Sequence, residues 1–235
     1  MKRKKFDCDF DCMVHPTTYI NKLVFAGGNR IELWNIIDDS KVYAFSRILT
    51  GKDNASVTCI VQSPVIHTVA IGYSDGDIHL ANLQTDQVLF TFKHAEQGGA
   101  IRGLSFSSDS SLGVSLLASV SGEGGSVTLW DLNKQKIYSL IQVPHNGRQI
   151  SCVQFMHNEP ILITSSDDDN SLKMWFFEKG TTQPRILKER CGHAMPPHKI
   201  RFYGGKDDPV NQGARNIISC APDGSLRDIS LLNEF

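Results

Sequence analysis

The chain is 235 residues long, enough for one large all-β domain or two small ones, and its 40% apolar and 21% charged content is that of an ordinary soluble globular protein. A formal net charge of −1 excludes the overall basic excess of a protein that coats nucleic acid. No apolar run approaches the roughly 18 residues of a membrane span, and the start Met1-Lys2-Arg3-Lys4-Lys5 leads into Phe6-Asp7-Cys8-Asp9 rather than an apolar core, so neither a spanning helix nor a signal peptide is expected.

Residues 1–9 read as a basic, solvated tail. From residue 10 onward a period of two dominates and no segment sustains a helical stripe. The first unit predicts strands at 10–14, 21–26, 30–36 and 41–48, with Pro16 interrupting and Gly27-Gly28-Asn29 turning the chain. The second predicts 57–62, 68–73, 77–83 and 87–92 around a Ser74-Asp75-Gly76 hairpin turn. The third predicts 101–106, 116–121, 126–132 and 136–142, turning at Gly122-Glu123-Gly124-Gly125. The fourth predicts 150–155, 161–165, 171–177 and 185–188 around Asp167-Asp168-Asp169-Asn170. The fifth predicts 199–203, 216–220 and 225–229 around Pro222-Asp223-Gly224, and residues 231–235 are too few for an outer strand. The connection 204–213, rich in polar and breaker residues, is expected to be a surface loop that moves.

One strand recurs. Ser126-Val127-Thr128-Leu129-Trp130-Asp131-Leu132 alternates polar and apolar residues and carries a Trp-Asp dipeptide, with near-copies ending around Trp34, Ala81, Trp175 and, in the last unit, position 227. These anchors recur every 45–52 residues, at or just above the ~40–45-residue period of WD repeats. The fold class is therefore all-β: a WD40-type β-propeller segment of about five four-stranded antiparallel blades, approximately 10–50, 51–95, 96–145, 146–190 and 191–235. An open arc exposes an apolar blade face at each end, so the segment is expected to belong to a larger, seven-bladed ring or to be completed by a partner.

A buried indole N–H or imidazole needs a partner, because leaving one unmet costs about 1–3 kcal/mol. The candidates are His94 for Trp130, His145 for Trp175, and His193 with Ser219 and Asp223 in the fifth blade; Ser119 joins Trp130, with Glu123 where an aspartate would sit. No blade shows the full set. Cys8, Cys12, Cys59, Cys152, Cys191 and Cys220 have no framework spacing and read as reduced core thiols of an intracellular protein. Cys8, Cys12 and His15 lack a fourth zinc ligand, and Asp167 to Asn170 lack the oxygen set of a calcium loop. No metal, cofactor, catalytic or small-molecule site is expected. Arg201, Arg215 and Arg227 are candidates for phosphate contact or for a solvated blade edge.

Further stretches resemble one family. His15-Pro16-Thr17-Thr18-Tyr19-Ile20-Asn21-Lys22, Val69-Ala70-Ile71-Gly72, Glu159-Pro160-Ile161-Leu162 and Asp169-Asn170-Ser171-Leu172-Lys173-Met174-Trp175 look like the U3 small nucleolar RNA-associated protein 21 family. The longest match is Gly192-His193-Ala194-Met195-Pro196-Pro197-His198-Lys199-Ile200-Arg201-Phe202-Tyr203-Gly204. The resemblance implies part of the first of two tandem propellers in a nucleolar, non-enzymatic scaffold of the small-subunit processome, acting in 18S rRNA processing. It implies other WD-repeat subunits of the UTP-B subcomplex as partners, with U3 snoRNA and pre-rRNA reached indirectly, and no membrane. Two rival readings are a peptide-recognition WD-repeat adaptor, which needs an aromatic or charged ring at a channel mouth, and an enzyme on a propeller, which needs a convergent polar site.

Overall fold

The structure, a computed structural model, describes residues 9–94, 99–122, 125–142, 144–167, 170–204 and 215–231. Among these residues every helix or strand element is a strand, and the strands form five successive antiparallel sheets. The first sheet is β1 (Cys12–Val14), β2 (Lys22–Gly27), β3 (Arg30–Asn35) and β4 (Ser40–Phe45). The second is β5 (Val57–Gln62), β6 (Thr68–Tyr73), β7 (Asp77–Asn82) and β8 (Gln87–Lys93). The third is β9 (Ile101–Phe106), β10 (Leu116–Ser121), β11 (Val127–Asp131) and β12 (Lys136–Ile141). The fourth is β13 (Ile150–Phe155), β14 (Ile161–Ser166), β15 (Ser171–Phe176) and β16 (Arg185–Cys191). The fifth has three strands among the described residues, β17 (Lys199–Gly204), β18 (Arg215–Cys220) and β19 (Leu226–Ser230). Strand order within each sheet follows chain order, so every connection is a simple meander.

Burial along each strand follows its place in its sheet. The second strands β6, β10 and β14 are buried at every position, which is why they read as near-continuous runs such as Leu116-Leu117-Ala118-Ser119-Val120-Ser121. The fourth strands are the most exposed, β4 at every position but its last, and Gln87-Val88-Leu89-Phe90-Thr91-Phe92-Lys93 alternates because one of its faces meets water.

The turn after the third strand in the first three sheets explains the Trp-Asp signature. The Asp131 carboxylate accepts the backbone N–H groups of Asn133 and Lys134, each at 3.0 Å. Asn82 does the same for Gln84 and Thr85, and Asn35 for Ile37. Four residues after each of these caps the chain enters the left-handed region, at Asp39 (φ 57), Asp86 (φ 52) and Gln135 (φ 54). The ladder then slips by one residue at the anchor itself, between Leu33 and Trp34, Leu80 and Ala81, Leu129 and Trp130, and Met174 and Trp175.

The chain falls into two compact units, residues 1–104 and 105–235. In the first, Val24, Ile31, Leu33, Ile48, Ile60, Ile71 and Tyr73 join the first two sheets into one core. Gly72 fits there because a Cβ would stand 2.6 Å from Ile101 Cγ2 and 2.7 Å from Cys59 Sγ. In the second unit, Leu116, Leu129, Val153, Phe155 and Phe177 form one cluster, and Met156, Ile163, Met174, Ile200 and Ile217 form the next.

Five expectations change. The strand expected at 41–48 runs from Ser40 to Phe45. The anchor of the fifth sheet is Ile229, not position 227. Ser219 pairs with Arg227, just as Thr164 pairs with Lys173 two residues before Trp175. The strand expected at 10–14 contracts to Cys12–Val14. The strand expected at 185–188 extends to Cys191. Cys191 is exposed there and Cys12, Cys59 and Cys220 are half-buried, so among the described residues Cys152 is the buried thiol. The basic run 2–5, Cys8, Glu123, Asp168 and Asp169, residues 205–214 and residues 232–235 lie outside the described residues.

Candidate functional site

The polar groups that the repeat places inside each sheet form a series of hydrogen-bonded networks. The most complete lies in the fourth sheet. Trp175 Nε1–H donates to Thr164 Oγ1 at 2.9 Å, and that hydroxyl meets His145 Nε2 at 2.8 Å. His145 Nδ1 in turn meets Ser171 Oγ at 3.3 Å. Thr164 and His145 are fully buried and Trp175 nearly so. The pairing of His145 with Trp175 expected from the sequence is thus mediated by Thr164.

In the third sheet Trp130 Nε1–H donates to Ser119 Oγ at 2.8 Å. His94, expected to serve Trp130, is buried. In the fifth sheet His193 Nε2 meets Ser219 Oγ at 2.7 Å and Nδ1 meets Ser225 Oγ at 3.2 Å. Asp223 accepts the Ser225 N–H at 2.9 Å. Burial, and then the Arg227 guanidinium, hold the His193 imidazole below its ordinary pKa, against the weaker opposing pull of Asp223. The hydrogen bonds from Ser225 hold the Asp223 carboxyl below its usual range.

The first two sheets depart from this scheme. Phe25 stands opposite Glu32, at the register position of Ser119 and Thr164, and offers no acceptor. Trp34 Nε1–H therefore donates to Glu32 Oε2 at 2.9 Å, and Lys41 holds the other oxygen at 3.3 Å. In the second sheet Ala81 replaces the tryptophan and Ile71 the hydroxyl residue. There Gly51-Lys52 stands where Gly192-His193 stands in the fifth unit. The Lys52 ammonium is buried, donates to Asp75 Oδ2 at 2.7 Å and to Asp77 Oδ2, and lies 5.0 Å from the centre of the Tyr73 ring. Burial opposes the charge of Lys52, but the two carboxylates outweigh it and hold its pKa above the usual range. Tyr73 packs edge-on against His79, whose Nδ1 meets the Ile48 carbonyl at 3.3 Å.

Lys52 was missed in the sequence because the expected residue was histidine; its signal was the glycine before it and the Asp75-Gly76-Asp77 turn after it. Asp86 was missed as well. Its buried carboxylate accepts from Tyr43 Oη at 3.0 Å and from the N–H groups of Ser46, Arg47 and Ile48, each at 3.2 Å, so it ties the second sheet's last turn to the connection leaving the first sheet.

The remaining candidates do not converge. Cys12 Sγ lies 3.4 Å from the carbonyl of Ala26, its cross-strand partner on β2, and His15 Nε2 lies 2.9 Å from that of Tyr19 within the β1–β2 loop. Asn170 adopts φ 53 and donates to the Ala194 carbonyl at 3.1 Å, a turn role. Arg201 is exposed and donates to Gln154 Oε1 at 3.2 Å. Arg227 lines a cleft with Leu172, Arg190, Gly192, His193 and Asp228, and the Asp228 carboxylate is held by Tyr203 Oη and Asn216 Nδ2, both at 2.9 Å. Arg215 lies at the start of β18. Among the described residues no group of three or more metal-ligating side chains comes together, and no helix is long and apolar enough to cross a membrane.

The profile of the WDR36/Utp21 first beta-propeller matches residues 1–178. The U3 small nucleolar RNA-associated protein 21 homolog of Schizosaccharomyces pombe is 34% identical over 97% of this chain, and the human WD repeat-containing protein 36 is 31% identical over 94%. This chain spans 23% of the length of each. Among solved structures, the WD40 repeats of RRP9 superpose with a TM-score of 0.75 at 18% identity, covering 98% of this chain and 63% of that one. The structure of U3-55K superposes with a TM-score of 0.74 at 19% identity, covering 98% and 64%. At these identities the superpositions establish the WD40 β-propeller fold and nothing further.

Proposed function

The chain belongs to the WDR36/Utp21 first beta-propeller family, and from that membership we propose that it is part of a non-enzymatic WD-repeat scaffold in ribosome biogenesis, working in the small-subunit processome on 18S rRNA maturation. The observation that carries this reading is its likeness, at 34% identity over 97% of the chain, to a protein named for its association with U3 small nucleolar RNA. Residues 10–235 serve in it as one propeller segment, located in the nucleolus, with other WD-repeat subunits of the UTP-B subcomplex as its partners. Contact is mainly with protein, and the U3 and pre-ribosomal RNAs are reached through those partners, in keeping with a formal net charge of −1.

The tryptophans favour this reading over a peptide-recognition adaptor. All three indole N–H groups are taken up within their own sheets, by Glu32, Ser119 and Thr164, so the tryptophans serve the sheets that carry them. The test is affinity purification of the tagged full-length gene product, with its bound proteins and RNA identified. Recovery of UTP-B subunits and U3 small nucleolar RNA is expected. Recovery of unrelated cytoplasmic proteins alone, without U3 RNA, would overturn the proposal.

A further inference from the structure

Five branched aliphatic side chains crowd one end of the first two sheets. Ile20 lies in the β1–β2 loop, Ile36 and Ile37 in the β3–β4 turn, and Val65 and Ile66 in the β5–β6 turn, and they are 49–83% exposed. Contacts on the loops hold them together. The Ile36 N–H donates to the Asn21 carbonyl at 2.9 Å, joining the first two of these loops. Thr18 Oγ1 meets His67 Nδ1 at 3.1 Å, and the Tyr19 and His67 rings lie 5.8 Å apart, joining the third.

Residues 105–235 supply an internal control. The same latch recurs there with the same 49-residue spacing, as Ser108 Oγ meets His157 Nδ1 at 3.0 Å. The same turn-to-loop bonds recur too, from the N–H of Leu132 to the Ser115 carbonyl at 3.0 Å and from that of Phe177 to the Pro160 carbonyl at 2.9 Å. Among the described residues, however, the corresponding loops 107–115, 132–135, 156–160 and 177–184 expose no large apolar side chain. The polar contacts that build these loops are therefore the same in both places, and the aliphatic residues of the first two sheets are an addition that folding does not require. Scattered apolar surface residues are ordinary, whereas a contiguous set rimmed by polar groups marks an interaction surface.

We propose that this end of the first two sheets docks another protein through an aliphatic segment flanked by lysine or arginine. The charge decides the class of partner. Loops 15–21, 35–39, 63–67 and 83–86 contain no lysine or arginine, and the exposed Asp38 and Asp39 follow Ile37 directly in the chain, while Asp86 is buried and spends its carboxylate on internal hydrogen bonds. Lys22, the cation that follows the first loop, has its ammonium 5.5 Å from the centre of the Tyr19 ring. Such a surface repels phosphate, which binds through several lysine or arginine contacts, and it favours a basic rim on an apolar partner.

The test places a photoreactive benzoylphenylalanine singly at Ile37, at Val65 and, as a control, at Asn133, which stands in the β11–β12 turn as Ile37 stands in the β3–β4 turn. The full-length protein is cross-linked in cells and purified. Positions 37 and 65 are expected to capture the same protein, on a peptide containing aliphatic residues beside lysine or arginine, with position 133 at least tenfold less efficient. The combined variant Ile37→Ser, Val65→Ser, Ile66→Ser is expected to recover that protein at least tenfold less well, with an unchanged melting temperature. Capture of RNA, of a second copy, of the same chain's remainder or of nothing would overturn the proposal, as would undiminished recovery by the variant. The partner is scored by the chemistry of its cross-linked peptide, so the result is independent of whether that partner belongs to the processome.

Discussion

Replacing Thr164 by valine keeps the shape of the side chain and removes one oxygen. That oxygen accepts from Trp175 Nε1–H at 2.9 Å and meets His145 Nε2 at 2.8 Å, inside a region where Thr164 and His145 are fully buried. Thr164→Val leaves the indole N–H unanswered at that site, which costs about 1–3 kcal/mol, and it removes a hydrogen bond to the imidazole worth roughly 0.5–1.5 kcal/mol. A loss of about 3 kcal/mol is expected, corresponding to a fall in Tm of about 6–12 °C for a domain of this size. Thr164→Ser is the control: it keeps the oxygen and gives up one buried methyl group, for about 1 kcal/mol. Urea unfolding followed by tryptophan fluorescence and by far-ultraviolet circular dichroism measures both variants, and coincident transitions license the comparison. If valine proves no more destabilising than serine, the network contributes nothing beyond packing and the argument fails.

Lys52→Met keeps most of the buried stem and leaves Asp75 and Asp77 facing each other without their cation. It is expected to cost about 2–3 kcal/mol at pH 7, at or below the lower end for a broken buried pair because Asp75 is 41% exposed. Burial alone raises the Asp75 pKa, but Lys52 together with backbone N–H groups, that of Asp77 first, outweighs it and holds the carboxyl below 3.8. Its share of stability is present above that value and lost as pH falls through the lowered one. The gap between wild type and variant in denaturant midpoint should therefore close below about pH 3.8; a gap independent of pH would contradict the ion pairing. His193 and His79 are both held below 6.5, by burial first and then by Arg227 and Lys52 respectively. The unfolded chain takes up those protons earlier than the folded one, so stability is complete above pH 6.5 and falls as pH drops through the lowered values. His193→Gln should flatten the slope of Tm between pH 7 and pH 5, and an unchanged slope would remove His193 from the account. Gly125 adopts φ 56, and a Cβ there would stand 2.4 Å from the Arg148 carbonyl oxygen. Gly125→Ala should cost about 2–4 kcal/mol in thermal unfolding, and a loss under about 1 kcal/mol would show that the loop yields.

The alternation of residues and the recurrence of the Trp-Asp strand were enough to place the strands of all five sheets, because a strand of fixed period and a tight turn are local properties of the chain. The Trp-Asp aspartate is local in the same sense, since Asp131 caps N–H groups two and three residues ahead of it. Which side chain answers a buried donor is decided elsewhere. The register of neighbouring strands put Phe25 opposite Glu32 and so turned Trp34 to a carboxylate, and it moved the fifth anchor to Ile229. The connection between sheets brought Lys52 to Asp75 and Asp77, where only a histidine had been sought. The exposed aliphatic cluster follows the same rule, because Ile20, Ile37 and Val65 lie far apart in sequence and are gathered by loop contacts that no local pattern encodes. Local sterics and the hydrophobic period determine strands and turns; the pairing of buried polar groups and the gathering of surface residues depend on distances that exist only once the sheets have formed.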